Sequence, residues 1–224
     1  MHHYDSIDNI KDNKALLGEE VWAFNKLDGQ NIGFKYNARK RAFQASCSRK
    51  CVVGEDDPMF GPAVRYFNEH YKDKFLKLIK TYSGKGSVFN GVDELMFYFE
   101  WYGKHSFAGF HQQGDEMRLA LTDVYLKKKD YIEPKTFYNM FCHLDWLETP
   151  ELIYKGKLTM DFVLGIQGND WTQPGCLFPT VKEGVVVRRS TLLKGKMPKV
   201  KIKTLWWLTE LHKKYSPEDC AKLE

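Results

Sequence analysis

Lys26 stands at the end of an apolar run, Val21-Trp22-Ala23-Phe24-Asn25, and just ahead of Asp28-Gly29. A lysine so placed can point into a cleft between flanking strands. Its amine is a nucleophile only when deprotonated, so desolvation or nearby cations would have to lower its pKa. The plain alternative is a solvated lysine beside a hairpin turn. On Lys26-Leu27-Asp28-Gly29 alone that alternative is the better reading, because short motifs recur by chance.

Three further places change the balance. Glu100 is a single acid within Phe97-Tyr98-Phe99-Glu100-Trp101-Tyr102-Gly103. A carboxylate among rings is costly to bury without a partner, so it faces a cleft or a cation, or else lies exposed on an edge strand. Glu183 opens the run Gly184-Val185-Val186-Val187. A carboxylate at a strand start suits Mg²⁺, which takes one or two carboxylates plus water and phosphate. Lys199, Lys201 and Lys203 alternate with Val200 and Ile202, which puts three ammonium groups on one strand face. A polyphosphate would relieve their repulsion, and so would solvent. Each feature is ordinary alone. Together they make one coherent site, with a nucleophilic amine, two acids and a cationic strand face.

The elements that must position these residues are legible as alternations and breaks. Residues 21–24 and 30–36 read as strands joined by the Asp28-Gly29 turn, and residues 41–46 as a third strand. Residues 62–82 have helical spacing, with Val64, Phe67, Tyr71, Phe75, Leu78 and Ile79 on one face, ended by Gly84-Lys85-Gly86. Strands follow at 94–102 and 119–126, the latter with a lone acid, Asp123. Residues 134–147 read as a helix, 162–166 as a short helix or strand, 183–188 and 198–204 as strands, and the segment from Leu205 as helical. Sequential strands with few crossover helices predict an α+β fold of antiparallel sheets with helices outside. No Gly-x-Gly-x-x-Gly follows the first strand and no Walker-type loop is present, which argues against a doubly wound nucleotide-binding fold.

Bulk properties bound the rest. The 224 residues are 43% hydrophobic and 28% charged, the balance of an ordinary globular protein with one sizeable core. No apolar stretch approaches the ~20 residues that span a bilayer, and residues 1–20 are polar, so a cytoplasmic protein without membrane contact is expected. The net charge of +5 is unevenly spread, with basic runs in 35–50, 72–85, 127–129 and 182–203. A positive groove for a polyanion is one reading; a solvated lysine face is the other. Five cysteines, an odd number, argue against a disulfide framework. Cys47 and Cys51 lack a second pair of ligands, so all five read as free thiols.

Taken in order from residue 21 to residue 203, the motifs resemble the covalent nucleotidyltransferase superfamily: ATP-dependent DNA ligases, RNA ligases and GTP-dependent capping enzymes. Lys26-Leu27-Asp28-Gly29 is similar to the nucleophile motif and Ser48-Arg49 to the second. Phe99-Glu100-Trp101-Tyr102-Gly103 is similar to the third, Lys182-Glu183-Gly184-Val185-Val186-Val187 to the fourth, and Lys201-Ile202-Lys203 to the fifth. The Glu-Trp-Tyr-Gly form around Glu100 looks most like RNA ligases of the phage nick-sealing type.

The resemblance implies a ligase adenylation fold over residues 1–204, antiparallel sheets flanking a nucleotide cleft, and a short helical extension over 205–224 in place of a separate barrel. It implies catalytic roles for Lys26, Lys201 and Lys203, and nucleotide contacts from Asn25, Arg49, Glu100, Val185 and Val187. It also implies Mg²⁺ or Mn²⁺ on Glu183 and ATP as the nucleotide. The implied partner is RNA, or RNA/DNA, with 5′-phosphate and 3′-hydroxyl ends. A monomer is expected, phage- or virus-encoded or cytoplasmic, with a separate end-healing protein as companion. The rivals are a DNA nick ligase, a GTP-dependent guanylyltransferase and a non-catalytic nucleic-acid-binding module. Two positions depart from the family pattern. Thr122 stands where a base-stacking ring precedes Asp123, and Asn25 stands where some phage ligases carry an acid. Trp206-Trp207 reads as core packing, or as a base-stacking platform.

Overall fold

The computed structural model describes residues 1–104 and 115–223, the last three by backbone alone; Glu224, the end of the extension expected over 205–224, lies outside the described residues. Two sheets carry the fold. The first has the order β1-β11-β10-β2-β9, built from Asp8–Asn9, Lys199–Lys203, Gly184–Arg189, Glu20–Asn25 and Leu152–Lys157 respectively. The second has the order β5-β4-β3-β6-β7-β8, from Val52–Val53, Ala42–Cys47, Gly29–Asn37, Glu94–Tyr102, Arg118–Leu126 and Asp130–Tyr131. Among these strands the pairings are antiparallel except β1 with β11. The helices are α1 (Gly61–His70), α2 (Lys72–Thr81), α3 (Pro134–Phe141), α4 (Met160–Gln167), α5 (Leu205–Lys214) and α6 (Pro217–Leu223). None is long and apolar enough to cross a membrane.

Strand alternation explains which face does what. Along β6, Phe97, Phe99 and Trp101 pack toward α1 and α2, while Met96 and Tyr98 point into the space between the sheets. The first of these faces is an aromatic core in which Phe34 stacks on Phe67 at 3.8 Å and Phe75 meets the edges of Phe97 and Phe99. In the first sheet, Val21, Ala23, Val185, Val187, Val200 and Ile202 pack beneath Val163 and Ile166 of α4. Its opposite face looks toward the second sheet. There Arg188 of β10 and Lys199 of β11 both reach Asp123 of β7, at 3.1 and 3.2 Å, and tie the sheets together. The N-terminal segment fills part of the same gap: Tyr4 donates to Asp123 at 3.2 Å and lies 4.8 Å from the Tyr98 ring.

Several expectations need correction. Residues 26–29 do not form a hairpin turn, because β2 and β3 belong to different sheets; the segment crosses from one sheet to the other. The expected helix over 62–82 is two helices that meet at Tyr71, although the six apolar residues on its expected face are all buried. Helix α3 ends at Phe141 rather than running to 147. Strand β9 escaped the sequence reading because it is an edge strand with every residue at least partly exposed, so no buried alternation marks it.

Candidate active site between the two sheets

Where the sheets part, a cavity of about 790 Å³ is lined by Lys26, Arg49, Glu100, Glu183, Lys201 and Lys203. They are positioned by several local devices. Lys26 follows the last residue of β2 and its backbone N–H donates to the Gly184 carbonyl at 2.8 Å. That bond sets the lysine beside Glu183. Lys201 and Lys203 lie on the cleft face of β11, because Val200 and Ile202 take the core positions. Glu100 lies near the end of β6, on the same face as Met96 and Tyr98. Arg49 sits at the tip of a tight turn in which Cys51 N–H donates to Ser48 Oγ and Ser48 N–H to the Cys51 carbonyl.

Glu183 is the electrostatic centre. One oxygen, Oε1, faces Lys26 Nζ at 2.8 Å and Lys203 Nζ at 3.4 Å, and the carboxylate side chain is 4% exposed. Its orientation depends on Gly184. Regular alternation would put residue 183 on the same face as Val185 and Val187, beneath α4. Gly184 has φ +149°, and a Cβ there would lie 2.0 Å from the Ile202 carbonyl oxygen. Only glycine tolerates both, so the chain turns over at 184 and delivers Glu183 into the cleft.

The same turnover corrects the expected base contacts. Val185 and Val187 are fully buried beneath α4, away from the cavity. The valine of β10 on the cleft side is Val186, paired across the ladder with Lys201. Asn25 is paired with Val185 and so shares the α4 side; its amide donates to the Thr180 carbonyl at 3.0 Å. The site therefore does not gather Asn25, Val185 or Val187. Thr122 does not line the cavity either; its hydroxyl donates to the Tyr98 carbonyl.

Protonation follows from this packing. Burial is the largest influence on Lys26 and lowers its pKa, but Glu183, Glu100 and Asp28 together raise it above the ordinary lysine value. The raised pKa favours the ammonium form, the reverse of the lowered pKa that a nucleophile needs. Burial lowers Lys203 to about 8 and also lowers Lys201. Burial pushes Glu100 up to about 7, against the pull of Lys26 and Arg49. A carboxyl with a raised folded pKa binds its proton more tightly in the native state. Its contribution to stability is present below the unfolded value near 4.5 and is lost as pH rises to about 7. Glu100→Gln is expected to shrink the stability loss between about pH 5 and about pH 8 by on the order of 1–2 kcal/mol. Urea melts at the two pH values check this; an unchanged difference would refute it.

Among the described residues no three His, Cys, Asp or Glu side chains converge on a metal cage. The donor set fits a different arrangement. Mg²⁺ or Mn²⁺ with one carboxylate, water and a polyphosphate would suit Glu183, whose single oxygen already holds two cationic groups.

Other walls of this cavity lie outside the motif residues. Ile7 of the N-terminal segment, Met59 and Phe60 ahead of α1, and Trp207, Leu211 and Tyr215 all line it. A signal existed for the last three, since they recur every four residues along one helical face.

Solved structures of an RNA ligase from Naegleria gruberi are similar to this chain. One with pyrophosphate has a TM-score of 0.66 and 14% identity, covering 96% of this chain and 59% of that one. Mutants with ATP and Mn and with AMP and Mn have TM-scores of 0.64 and 0.62, at 14% and 15% identity. Those two matches cover 96% and 94% of this chain and 58% of each ligase chain. This likeness is one of fold, and the chain spans about three-fifths of the length of those ligases. No curated protein matches. The family model for RNA ligase matches residues 19–203, most of the chain with every cavity residue of motif character inside it, and the chain belongs to the RNA ligase family.

Proposed function

We propose that this chain is an ATP-dependent polynucleotide ligase that joins RNA 5′-phosphate and 3′-hydroxyl ends through a lysyl-AMP intermediate. The observation that carries the reading is the convergence of Lys26, Lys201, Lys203, Glu100 and Glu183 on one cavity. In the first step the Lys26 amine forms an N–P bond to the α-phosphorus of ATP. The bond from that phosphorus to the bridging oxygen breaks, pyrophosphate leaves with its electron pair, and the amine loses a proton. Lys201 and Lys203 lie on one strand face where they neutralise charge on the α-phosphate as it builds. Mg²⁺ or Mn²⁺, held in part by Glu183, would supply further charge neutralisation at the polyphosphate. Drawing Glu183 away from Lys26 removes the main influence that keeps the amine protonated. Glu100 and Arg49, at the opposite wall, are the proposed ribose contacts.

In the second step a 5′-phosphate oxygen displaces Lys26 and takes the AMP. In the third a 3′-hydroxyl displaces AMP and seals the strand. The ATP, AMP, Mn and pyrophosphate named with the Naegleria ligases support this nucleotide and metal choice. A monomer, a separate end-healing partner and a cytoplasmic or phage setting belong to the same proposal. The test is label transfer: protein, Mg²⁺ and α-labelled ATP or GTP, resolved on a denaturing gel. A labelled band from ATP is expected. A band from GTP alone would move the reading to guanylyl transfer, and no band with either would leave a binding module.

A further inference from the structure

We propose that Trp207 is a positioning residue for this nucleotidyl transfer, holding the Lys203 ammonium against its ring face at the cavity wall. The inference rests on the function proposed above. Helix α5 begins two residues after Lys203, and its placement is fixed by Thr204 between them, which is fully buried. The Thr204 backbone N–H donates to the Glu183 carbonyl at 3.0 Å, its hydroxyl donates to the Lys182 carbonyl at 2.6 Å, and it accepts from Trp207 N–H at 3.1 Å. The first turn of α5 is therefore anchored to the segment that carries Glu183. Trp207, Leu211 and Tyr215 then form one stripe along the cavity. Cys220 of α6 packs behind, its thiol facing the Leu211 carbonyl at 3.7 Å. The neighbouring ring, Trp206, points elsewhere and meets the edge of Trp171 at 5.4 Å.

Lys203 Nζ lies 3.6 Å from the centroid of the Trp207 ring and 3.4 Å from Glu183 Oε1. The two partners differ in what they leave behind. A carboxylate competes with phosphate for the ammonium ion. An aromatic face stabilises a cation without carrying a negative charge, so it can hold the amine in place while its protons face an incoming phosphate. Desolvation strengthens that attraction, and the Lys203 side chain is 3% exposed. When a divalent cation and nucleotide engage Glu183, the ring still holds Lys203 at the pocket.

The full chain is assayed by the initial rate of label transfer from ATP, with thermal melting recorded for each variant. Trp207→Leu keeps apolar bulk but has no ring face, and is expected to slow labelling about tenfold; Trp207→Phe keeps a face and should stay within about threefold. Lys203→Ala slows labelling by itself, and adding Trp207→Leu to it should cost nothing more. A folded Trp207→Leu variant that labels at the parental rate would overturn the proposal. So would losses that multiply in the double variant, or a folded Trp207→Phe as slow as Trp207→Leu. If the parental chain takes no label from ATP, the ligase reading fails first. Trp207 is then judged by acetic anhydride labelling of Lys203, read by peptide mass spectrometry. Several-fold faster acetylation in Trp207→Leu than in Trp207→Phe supports the contact, and equal rates refute it.

Discussion

Lys26→Ala is expected to take covalent nucleotide labelling to background, a loss on the order of a thousandfold or more, because no other group supplies the phosphoramidate nitrogen. The fold should survive. Glu183 keeps Lys203 as a partner when Lys26 is gone, and Lys26 is itself 20% exposed. A shift of melting midpoint beyond a few degrees would mean that the lysine holds the two sheets together as well. Lys26→Arg sharpens the result. Arginine preserves a cation beside Glu183, but a guanidinium does not deprotonate under these conditions and is no nucleophile. Both variants should be dead in labelling while Lys26→Arg keeps the parental stability. Labelling that persists in either, mapped by mass spectrometry to another residue, would place the nucleophile elsewhere in the cavity.

The strands that build the cleft were legible because their alternation or apolar runs mark them. Residues 94–102 read as a strand and are β6; the face that puts Glu100 beside the lysines follows from period two. The three lysines of β11 were placed on one face by the same rule and lie there, although two of them already have carboxylate partners. What failed was the inference across Gly184. The sequence displays Glu183, Val185 and Val187 at alternate positions, and nothing local says that the glycine between the first two adopts φ +149°. The reason lies in β11, whose Ile202 carbonyl approaches too closely for a side chain. A close approach between strands distant in sequence is a tertiary fact.

Two other failures have similar causes. The residues 26–29 look like a hairpin turn, since Asp-Gly favours one. Whether flanking strands pair with each other or with distant strands depends on which faces need covering, and β3 takes β6 and β4 as neighbours. The expectation of a lowered Lys26 pKa considered desolvation and neighbouring cations. It did not weigh two acids converging from β6 and from the start of β10. Charge balance in a site is a sum over elements that a linear reading cannot align. The α5 stripe is the opposite case. Its spacing is visible, with core packing and a base-stacking platform as the two readings, and the cavity beneath it with Lys203 against the ring gives Trp207 a third role.

Asp123→Ala is expected to cause the largest loss of stability, about 3–5 kcal/mol, because it removes the one carboxylate between two buried cations. Asp123 is fully buried and receives Arg188, Lys199 and the Tyr4 hydroxyl. After the substitution Arg188 retains the Thr122 carbonyl and the faces of Phe24 and Phe137. Lys199 retains the rings of Tyr131 and Tyr4, at 3.4 and 4.2 Å from their centroids. The two cations respond differently. Burial already lowers the pKa of Lys199, so it can shed its proton and limit the cost, whereas Arg188 cannot. Lys199→Met should therefore be far milder than Asp123→Ala, since it leaves one acid with one arginine. Denaturant melts on the two variants decide the point. Equal losses would mean that packing between the sheets, and not charge, sets the cost. The same bonds join β7 of one sheet to β10 and β11 of the other, the strands that carry Lys201 and Lys203 and begin beside Glu183. Asp123→Asn keeps the volume and one acceptor but loses the charge. Labelling by any folded remainder should be slowed, because the width of the cleft is set by those bonds. A folded Asp123→Asn variant that labels at the parental rate would show that the walls hold their spacing without the buried cluster.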